Sequence, residues 1–311
     1  MFGRVLDIAL SKEDGTSLLI VDHTQGYNNL IVGGTVKRYP YTEVDSCTLN
    51  IYNLPSYIRG EIAVGGYTIL TVKFGYEDEN NISTIFQGTI QRLVNQYPSP
   101  ETSMTILYAW DCGDFKNYGF FSRSYDDGVN YYQIAKDICA QGNVPISAEL
   151  SDKLKDYKVA NGRVFFTSQD DALQGIAQET GMLYTASNNR VSIIDKGINS
   201  ARQDVTVMTR TLESGKVVSD SGLIGIPTLT SDGLHYDALI NPKIEVYSIV
   251  SFDNSIISNE QTGVIPQRDI GAYLDSNGLY RVVTINTTFC NDGGECRSRI
   301  KALALDWDSY L

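Results

Sequence analysis

Between residues 47 and 110 the chain alternates apolar and polar side chains over successive short segments. This period of two constrains its fold more than any other feature. Leu70, Val72, Phe74 and Tyr76 fall on one side of an extended backbone, with Thr71, Lys73 and Gly75 on the other. Cys47, Leu49 and Ile51 oppose Thr48, Asn50 and Tyr52 in the same way. Successive side chains leave a pleated strand on opposite faces, so the pattern predicts strands with one buried face. A third extended segment follows at 85–90. The run Glu77, Asp78, Glu79, Asn80 and Asn81 before it is too polar to bury anything and reads as a solvated loop. The three segments are expected to form an antiparallel meander that curls into a barrel.

Composition supports a β-rich chain, since 20 Tyr favour strands and 27 Gly supply turns. With 311 residues, 42% of them hydrophobic, two or three domains with real cores are expected. The net charge of −12 argues against a nucleic-acid clamp, which needs a basic stripe. It does not oppose DNA passing nearby, because an acidic wall repels phosphates and keeps them moving. No run approaches the length of apolar sequence that a transmembrane helix requires, so no membrane insertion is expected. The first residues lack a charged leader followed by an apolar block, so no secretory signal is expected either. Five scattered cysteines, an odd count in a chain of this size, point to folding in a reducing cytoplasm.

In chain order, 5–10, 18–21 and 30–39 read as strands, 56–60 as a short helix behind Pro55, and 104–110 as a strand closing the first unit. The character then changes. Tyr131, Ile134, Ala135, Ile138 and Cys139 form one apolar helical stripe ending near Gly142, with Asp126 and Asp127 placed at its positive end. A second helix begins at Ser168, with Asp171 completing a capping-box-like signal. It buries Leu173, Ile176 and Ala177 and stops at Gly181. A hairpin of 182–186 and 190–195 turns at Asn188 and Asn189. Strands return at 205–211, 216–219, 224–229, 244–250, 280–288 and 300–305, with a polar loop at 253–277. The chain therefore divides into a β domain at 1–119, a small α/β module at 120–198 and a second β domain at 199–311. The fold class is β-rich α+β, without a sequence repeat between the β units.

The chain shows little sign of catalysis. His23 and His235 read as exposed loop histidines, and neither lies in a nucleophile elbow or a zinc-protease pair. Cys290 and Cys296 are separated by five residues, with no second ligand pair to complete a tetrahedral metal site. They read as flanking a glycine-rich hairpin tip, able to form a disulfide only if their Cα atoms come within about 7 Å. Asp292 and Glu295 do not match a calcium loop. The acid pairs Asp126–Asp127 and Asp170–Asp171 stand where helices begin, and capping accounts for them. No phosphate-binding glycine loop occurs, and Tyr131 and Tyr132 read as core. No cofactor, metal or enzymatic activity is predicted.

Four places carry a resemblance to a family. Leu49 to Leu54, Thr71 to Tyr76 and Ile85 to Ile90 resemble a strand reaching Asn-Leu, a strand ending in Gly-Tyr and a Phe-x-Gly strand. The run from Leu173 through Ile176 to Gly181 and its hairpin resemble a small α/β module. Gly222 to Pro227 and Leu239 to Pro242 lead into a strand, and Gly278-Leu-Tyr280 resembles a late barrel strand. In this order they resemble the baseplate hub proteins of contractile-tailed phages and related injection machines, over about 45–305. The chain departs from that pattern at 291–297, where Cys296 and Arg297 stand in place of a Trp after the turn.

The resemblance implies two tail-tube-like antiparallel β-barrel domains flanking the module. It implies a homotrimer whose six similar barrels match a six-fold tail tube on one side and a three-fold central spike on the other. The implied partners are the tube protein, the spike protein and other baseplate proteins, with DNA passing transiently through the lumen. The implied location is the virion tail baseplate, reached after assembly in the bacterial host cytoplasm. Barrels joined in a ring hide their strand edges, and abundant Tyr suits subunit contacts. Interface candidates are Tyr52, Tyr76, Glu77, Asp78, Glu79 and Asn80. The alternatives are a tube-initiator or distal tail ring protein, and a hub-associated peptidoglycan hydrolase acting through Asp126, Asp127 or Asp171.

Overall fold

The alternating run folds as strands in the computed structural model, which describes residues 3–24, 29–40, 43–77, 82–196, 206–208, 211–213, 216–218, 222–230, 232–259, 274–275 and 277–305. The first unit contains β1 (Arg4–Ser11), β2 (Ser17–Val21), β3 (Val32–Arg38), β4 (Ser46–Tyr52), α1 (Ser56–Ala63), β5 (Ile69–Tyr76), β6 (Ser83–Ser99) and β7 (Thr102–Trp110). Cys47, Leu49 and Ile51 of β4 and Leu70, Val72, Phe74 and Tyr76 of β5 are all buried in one core, as the period of two requires.

The three segments are not one meander, however. β5, β6 and β7 are consecutive neighbours, whereas β4 joins beyond β7, giving the order β4-β7-β6-β5. α1 fills the crossover and tucks Ile58 and Ile62 into the same core, three residues longer than the sequence suggests. β6 also runs to Ser99, well past residue 90. Its far half pairs with β7 as a largely exposed ribbon, so no apolar alternation marks it.

The middle of the chain holds α2 (Gly113–Tyr118), β8 (Phe120–Tyr125), α3 (Tyr131–Gln141), β9 (Ser147–Leu150), β10 (Arg163–Ser168), α4 (Gln169–Thr180), β11 (Leu183–Ser187) and β12 (Arg190–Ile194). The predicted helix stripe packs Ile134, Ala135, Ile138 and Cys139 of α3 against Leu173, Ile176 and Ala177 of α4 in one core. The Ser168 hydroxyl caps α4 by accepting the Asp171 N–H at 3.0 Å, and Gly181 ends it in the left-handed region at φ +67°. The start of α3 differs from the reading. Its cap is Asn130, whose side chain accepts the Gln133 N–H at 2.8 Å, and no acid lies in its first turn. Asp127 instead accepts the N–H of Asn161 at 3.2 Å, fastening the loop before β10. β11 and β12 form the expected hairpin, turned by Asn188 and Asn189 at φ 54° and 55°. β9 lies parallel to β12, and β8 pairs with β10.

The last part holds β13 (Thr206–Met208), β14 (Thr211–Glu213), β15 (Lys216–Val218), β16 (Leu223–Thr230), β17 (Gly233–Ala238), β18 (Ile249–Phe252), β19 (Ser258–Asn259), β20 (Leu279–Cys290) and β21 (Arg297–Ala304). Residues 244–250 are not a strand throughout. Ser248 N–H bonds back to Glu245 O at 3.0 Å, Tyr247 takes φ +70°, and β18 begins only at Ile249. The apolar run there is buried through a bend, a case that composition cannot separate from a strand. His235 lies within β17, half-buried, rather than in a loop. Most of the polar loop at 253–277, and Trp307, fall outside the described residues.

The two β units share one sheet. β20 pairs with β3 from Ile285 opposite Arg38 to Cys290 opposite Gly33. The path β19-β16-β17-β21-β20-β3-β4-β7-β6-β5-β1-β2 therefore crosses from one unit to the other. Among the described residues this path ends at β2 and β19 without closing on itself, so two separate closed barrels are not what the hydrogen bonding draws.

Candidate functional site

The structure separates the residues that sequence grouped as an interface. Tyr76 is buried, its ring edge-on to Phe74 at 5.6 Å between centroids, as its place on the apolar face of β5 dictates. Glu77 follows on the surface, its N–H bound to Gly3 O at 2.9 Å. Tyr52 ends β4, half-buried. β4 runs opposite to β5 across the intervening β7 and β6, so Tyr52 and Glu77 lie at opposite ends of the sheet. Asp78, Glu79 and Asn80 fall outside the described residues.

Glu77 opens into a cleft of about 560 Å³, which Arg4, His23, Asn291 and Gly293 also line. The hairpin tip between β20 and β21 makes one wall. Asn291 bridges to the first β unit three ways: its Nδ2 donates to Leu30 O at 2.8 Å, its Oδ1 accepts Val32 N–H at 2.9 Å, and its own N–H reaches Val32 O at 3.2 Å. Arg4 Nη1 donates to Gly294 O at 3.0 Å. His23, Asp7 and Asp22 bring possible metal-ligand atoms within 4.8 Å of one another. Hydrogen bonds already account for that cluster. Asp7 Oδ1 accepts the His23 N–H at 2.9 Å and faces its Nδ1 at 2.8 Å, while Asp22 Oδ1 accepts from Thr24 N–H and Oγ1.

A buried carboxylate pair holds the α/β module to the first β unit. Asp111, just past β7, accepts the N–H groups of Asn188 and, at 3.0 Å, Asn189. The left-handed turn points both N–H groups the same way, a small anion-binding concavity. Asp45, just before β4, accepts Tyr39 N–H at 2.9 Å and Ser187 Oγ at 2.8 Å. Burial, followed by the charge of Asp111, pushes the Asp45 carboxyl up to about 7, although Arg38 and its two donors oppose the shift. Burial raises Asp111 as well, against the pull of its hydrogen bonds. No sequence signal marked this joint, because its carboxylates lie 77 and 142 positions from the residues they hold.

The other face of the module rests on the second β unit. Leu183, Ile194, Val246 and Tyr247 form one apolar cluster, and Tyr247 Oη donates to Tyr184 O at 3.3 Å. Arg281 of β20, wholly buried, donates to Tyr247 O at 3.3 Å and to Lys196 O at 2.5 Å where the chain leaves β12. Arg190 pairs with Glu245 across the same seam and with Glu149 of β9 inside the module.

Asp126, Asp127 and Asp171 are exposed at loop and helix-start positions. Asp170 is buried and accepts the Tyr184 hydroxyl at 2.5 Å, its carboxyl raised chiefly by burial. Asp137, also buried, accepts from Arg123, Tyr125 and Gln133. The carboxylates of Asp127, Asp137 and Asp170 serve hydrogen bonds inside the module.

A family model described as baseplate hub gp41 matches residues 21–260, from the end of β2 through the module to β19 of the second β unit. This chain belongs to that family. The baseplate hub family is a structural component of phage tails, and the architecture agrees with it. The 43 kDa tail protein of prophage MuSo2 from Shewanella oneidensis is similar at a TM-score of 0.58 and 11% identity, covering 98% of each chain. A tail protein from Neisseria meningitidis MC58 is similar at 0.54 and 9%, covering 97% of each. The Escherichia coli c3393 protein, a type VI secretion component described as similar to the T4 tail proteins gp27 and gp5, gives 0.53 and 6%, covering 90% of this chain and 75% of its own. Comparison with curated proteins gave no match. At these identities the solved structures share the fold of this baseplate hub protein. No helix among its described residues is long and apolar enough to cross a membrane.

Proposed function

We propose that the protein is the non-enzymatic hub of a tail baseplate: a homotrimeric ring of six similar β units that joins a six-fold tube to a three-fold central spike. The observation that carries this reading is the union of two β units in one chain by the β3–β20 pairing. It makes each chain a joined pair of β units, so that three copies would bring six units into one ring. The module, clamped to one unit through Asp45 and Asp111 and to the other through Tyr247 and Arg281, fixes the angle between those units. We read the units as domains 1–119 and 199–311 around 120–198, and each as a tube-type barrel completed in the ring. Glu77, the segment 78–80 and Tyr52 are the proposed contacts with neighbouring copies, with buried Tyr76 supporting Glu77 from beneath. The tube, spike and other baseplate proteins are the proposed partners. The net charge of −12 suits a lumen that lets DNA pass without holding it. Assembly in the host cytoplasm fits the five unpaired cysteines.

Light scattering on the purified protein tests the reading. A mass near three times 34.4 kDa supports the hub. A stable six-copy ring transfers the protein to the tube-initiator or distal-ring class. A monomer at every concentration, unchanged by the spike protein of the same tail, overturns the trimer.

A further inference from the structure

The hairpin tip that walls the cleft is flanked by two thiols in contact. Cys290 ends β20, Cys296 precedes β21, and their sulfurs stand 3.6 Å apart. A disulfide bond is about 2.0 Å long, so the sulfurs need to approach by only about 1.6 Å, within reach of side-chain rotation. Two further contacts hold them facing each other. Cys296 Sγ donates to Cys290 O at 3.3 Å, and the Cys290 N–H points at Cys296 Sγ at 3.3 Å. The other three cysteines, Cys47, Cys112 and Cys139, are buried elsewhere in the two neighbouring cores.

We propose that Cys290 and Cys296 are an oxidisable pair that closes into a disulfide across the base of the tip, locking the loop that fastens the second β unit to the first. Cys290 is the half-buried member and Cys296 is 3% exposed, which sets the order of events. The Cys290 sulfur gives up its proton to solvent and attacks a low-molecular-weight disulfide such as oxidised glutathione, releasing one glutathione thiolate. The Cys296 sulfur, losing its own proton, then attacks the Cys290 sulfur of this mixed disulfide and expels the second glutathione. Two S–H bonds are lost, one S–S bond is formed, and the two electrons leave on the two glutathione thiols. Burial, the neighbouring Cys296 sulfur and Asp292 push the Cys290 thiol up to about 12. Closure is therefore slow at neutral pH and faster in alkali.

The consequence is mechanical. Asn291 and Gly294, inside the closed loop, are the residues that grip Leu30, Val32 and Arg4. A staple across the base narrows the freedom of this grip without changing its partners. If the protein is a baseplate hub, the pair stays reduced during assembly in the host and meets oxidant after release; that timing rests on the proposed function, whereas the bond does not.

The test treats the full chain with oxidised glutathione at pH 8.5 and digests it after blocking free thiols. Trypsin cuts after Arg281 and Arg297, so both cysteines fall in one peptide, 282–297, that holds no other cysteine. The expected result is that this peptide is unblocked and lighter by the mass of two hydrogens, while Cys47, Cys112 and Cys139 remain thiols. Cys296→Ser should then trap glutathione on Cys290, and a glutamate-specific protease should cut the oxidised wild type after Glu295 severalfold more slowly than the reduced protein. A peptide that stays fully blocked, a glutathione adduct persisting on wild-type Cys290, or a cross-link between chains overturns the proposal.

Discussion

The carboxylate of Asp111 accepts the backbone N–H of Asn189 at 3.0 Å, joining the end of β7 to a turn 78 positions further along the chain. The same carboxylate accepts the N–H of Asn188, so one side chain satisfies both donors of the hairpin turn. Removing it leaves two N–H groups facing a cavity with no acceptor. Asp111→Ala is expected to destabilise the protein by about 2–4 kcal/mol, a buried network losing the acceptor for two donors. Urea denaturation measures the loss. Hydrogen exchange should show it first at 187–190, because the hairpin tip is what the carboxylate holds. Exchange rising uniformly instead would mean that Asp111 supports the β7 end rather than the module.

The neighbouring acid gives the joint a pH dependence. The Asp45 carboxyl is pushed up to about 7 by burial and by Asp111, against Arg38, Tyr39 N–H and Ser187. In the unfolded chain the same group titrates near its ordinary value of 3.8. Between those limits the folded state holds more protons than the unfolded one, so stability falls as pH rises through the window. The contribution is full below about pH 4 and gone above about pH 7. Melting temperature is expected to fall from pH 5 to pH 8, and Asp45→Asn should flatten that slope. A variant whose slope matches wild type would assign the dependence to another group.

How much of this could be read in the sequence depends on the range of the interaction. The face of β5 was legible because Leu70, Val72, Phe74 and Tyr76 record their burial in their own spacing. So were α4, announced by Ser168 and Gly181, and the Asn188–Asn189 turn, all local signals. The position of β4 beyond β7 was not, since pairing partners leave no mark in a strand's own alternation. The bend at Tyr247 was hidden for a related reason. Ile244, Val246, Ile249 and Val250 are buried whether the backbone is extended or turned, and what holds the turn is the Tyr247 N–H on Val282 O at 2.8 Å. Asp45 and Asp111 carry no local signal, because their partners are supplied by the fold. The same alternation that located the acidic loop also placed Tyr76 on the buried face, which separates it from Glu77 in role.

The seam between the two β units rests on a close approach at one glycine. Gly34 of β3 lies between Leu49 of β4 and Phe289 of β20. A Cβ there would meet Phe289 Cζ at 2.6 Å and the backbone oxygen of Thr48 at 2.7 Å. The ring can turn aside, but the strand backbone cannot, so any side chain forces β3 and β4 apart. Gly33, its neighbour, would place a Cβ no nearer than 3.8 Å to anything, an ordinary contact. Gly34→Ala is expected to cost about 1–3 kcal/mol, while Gly33→Ala should fall within about 0.5 kcal/mol of wild type, helped by the lower entropy of its unfolded chain. Chemical denaturation of the two single variants side by side is the measurement. Equal losses would show that strand entropy rather than the close approach makes glycine necessary, and the β3–β20 seam would then have room that the structure denies it.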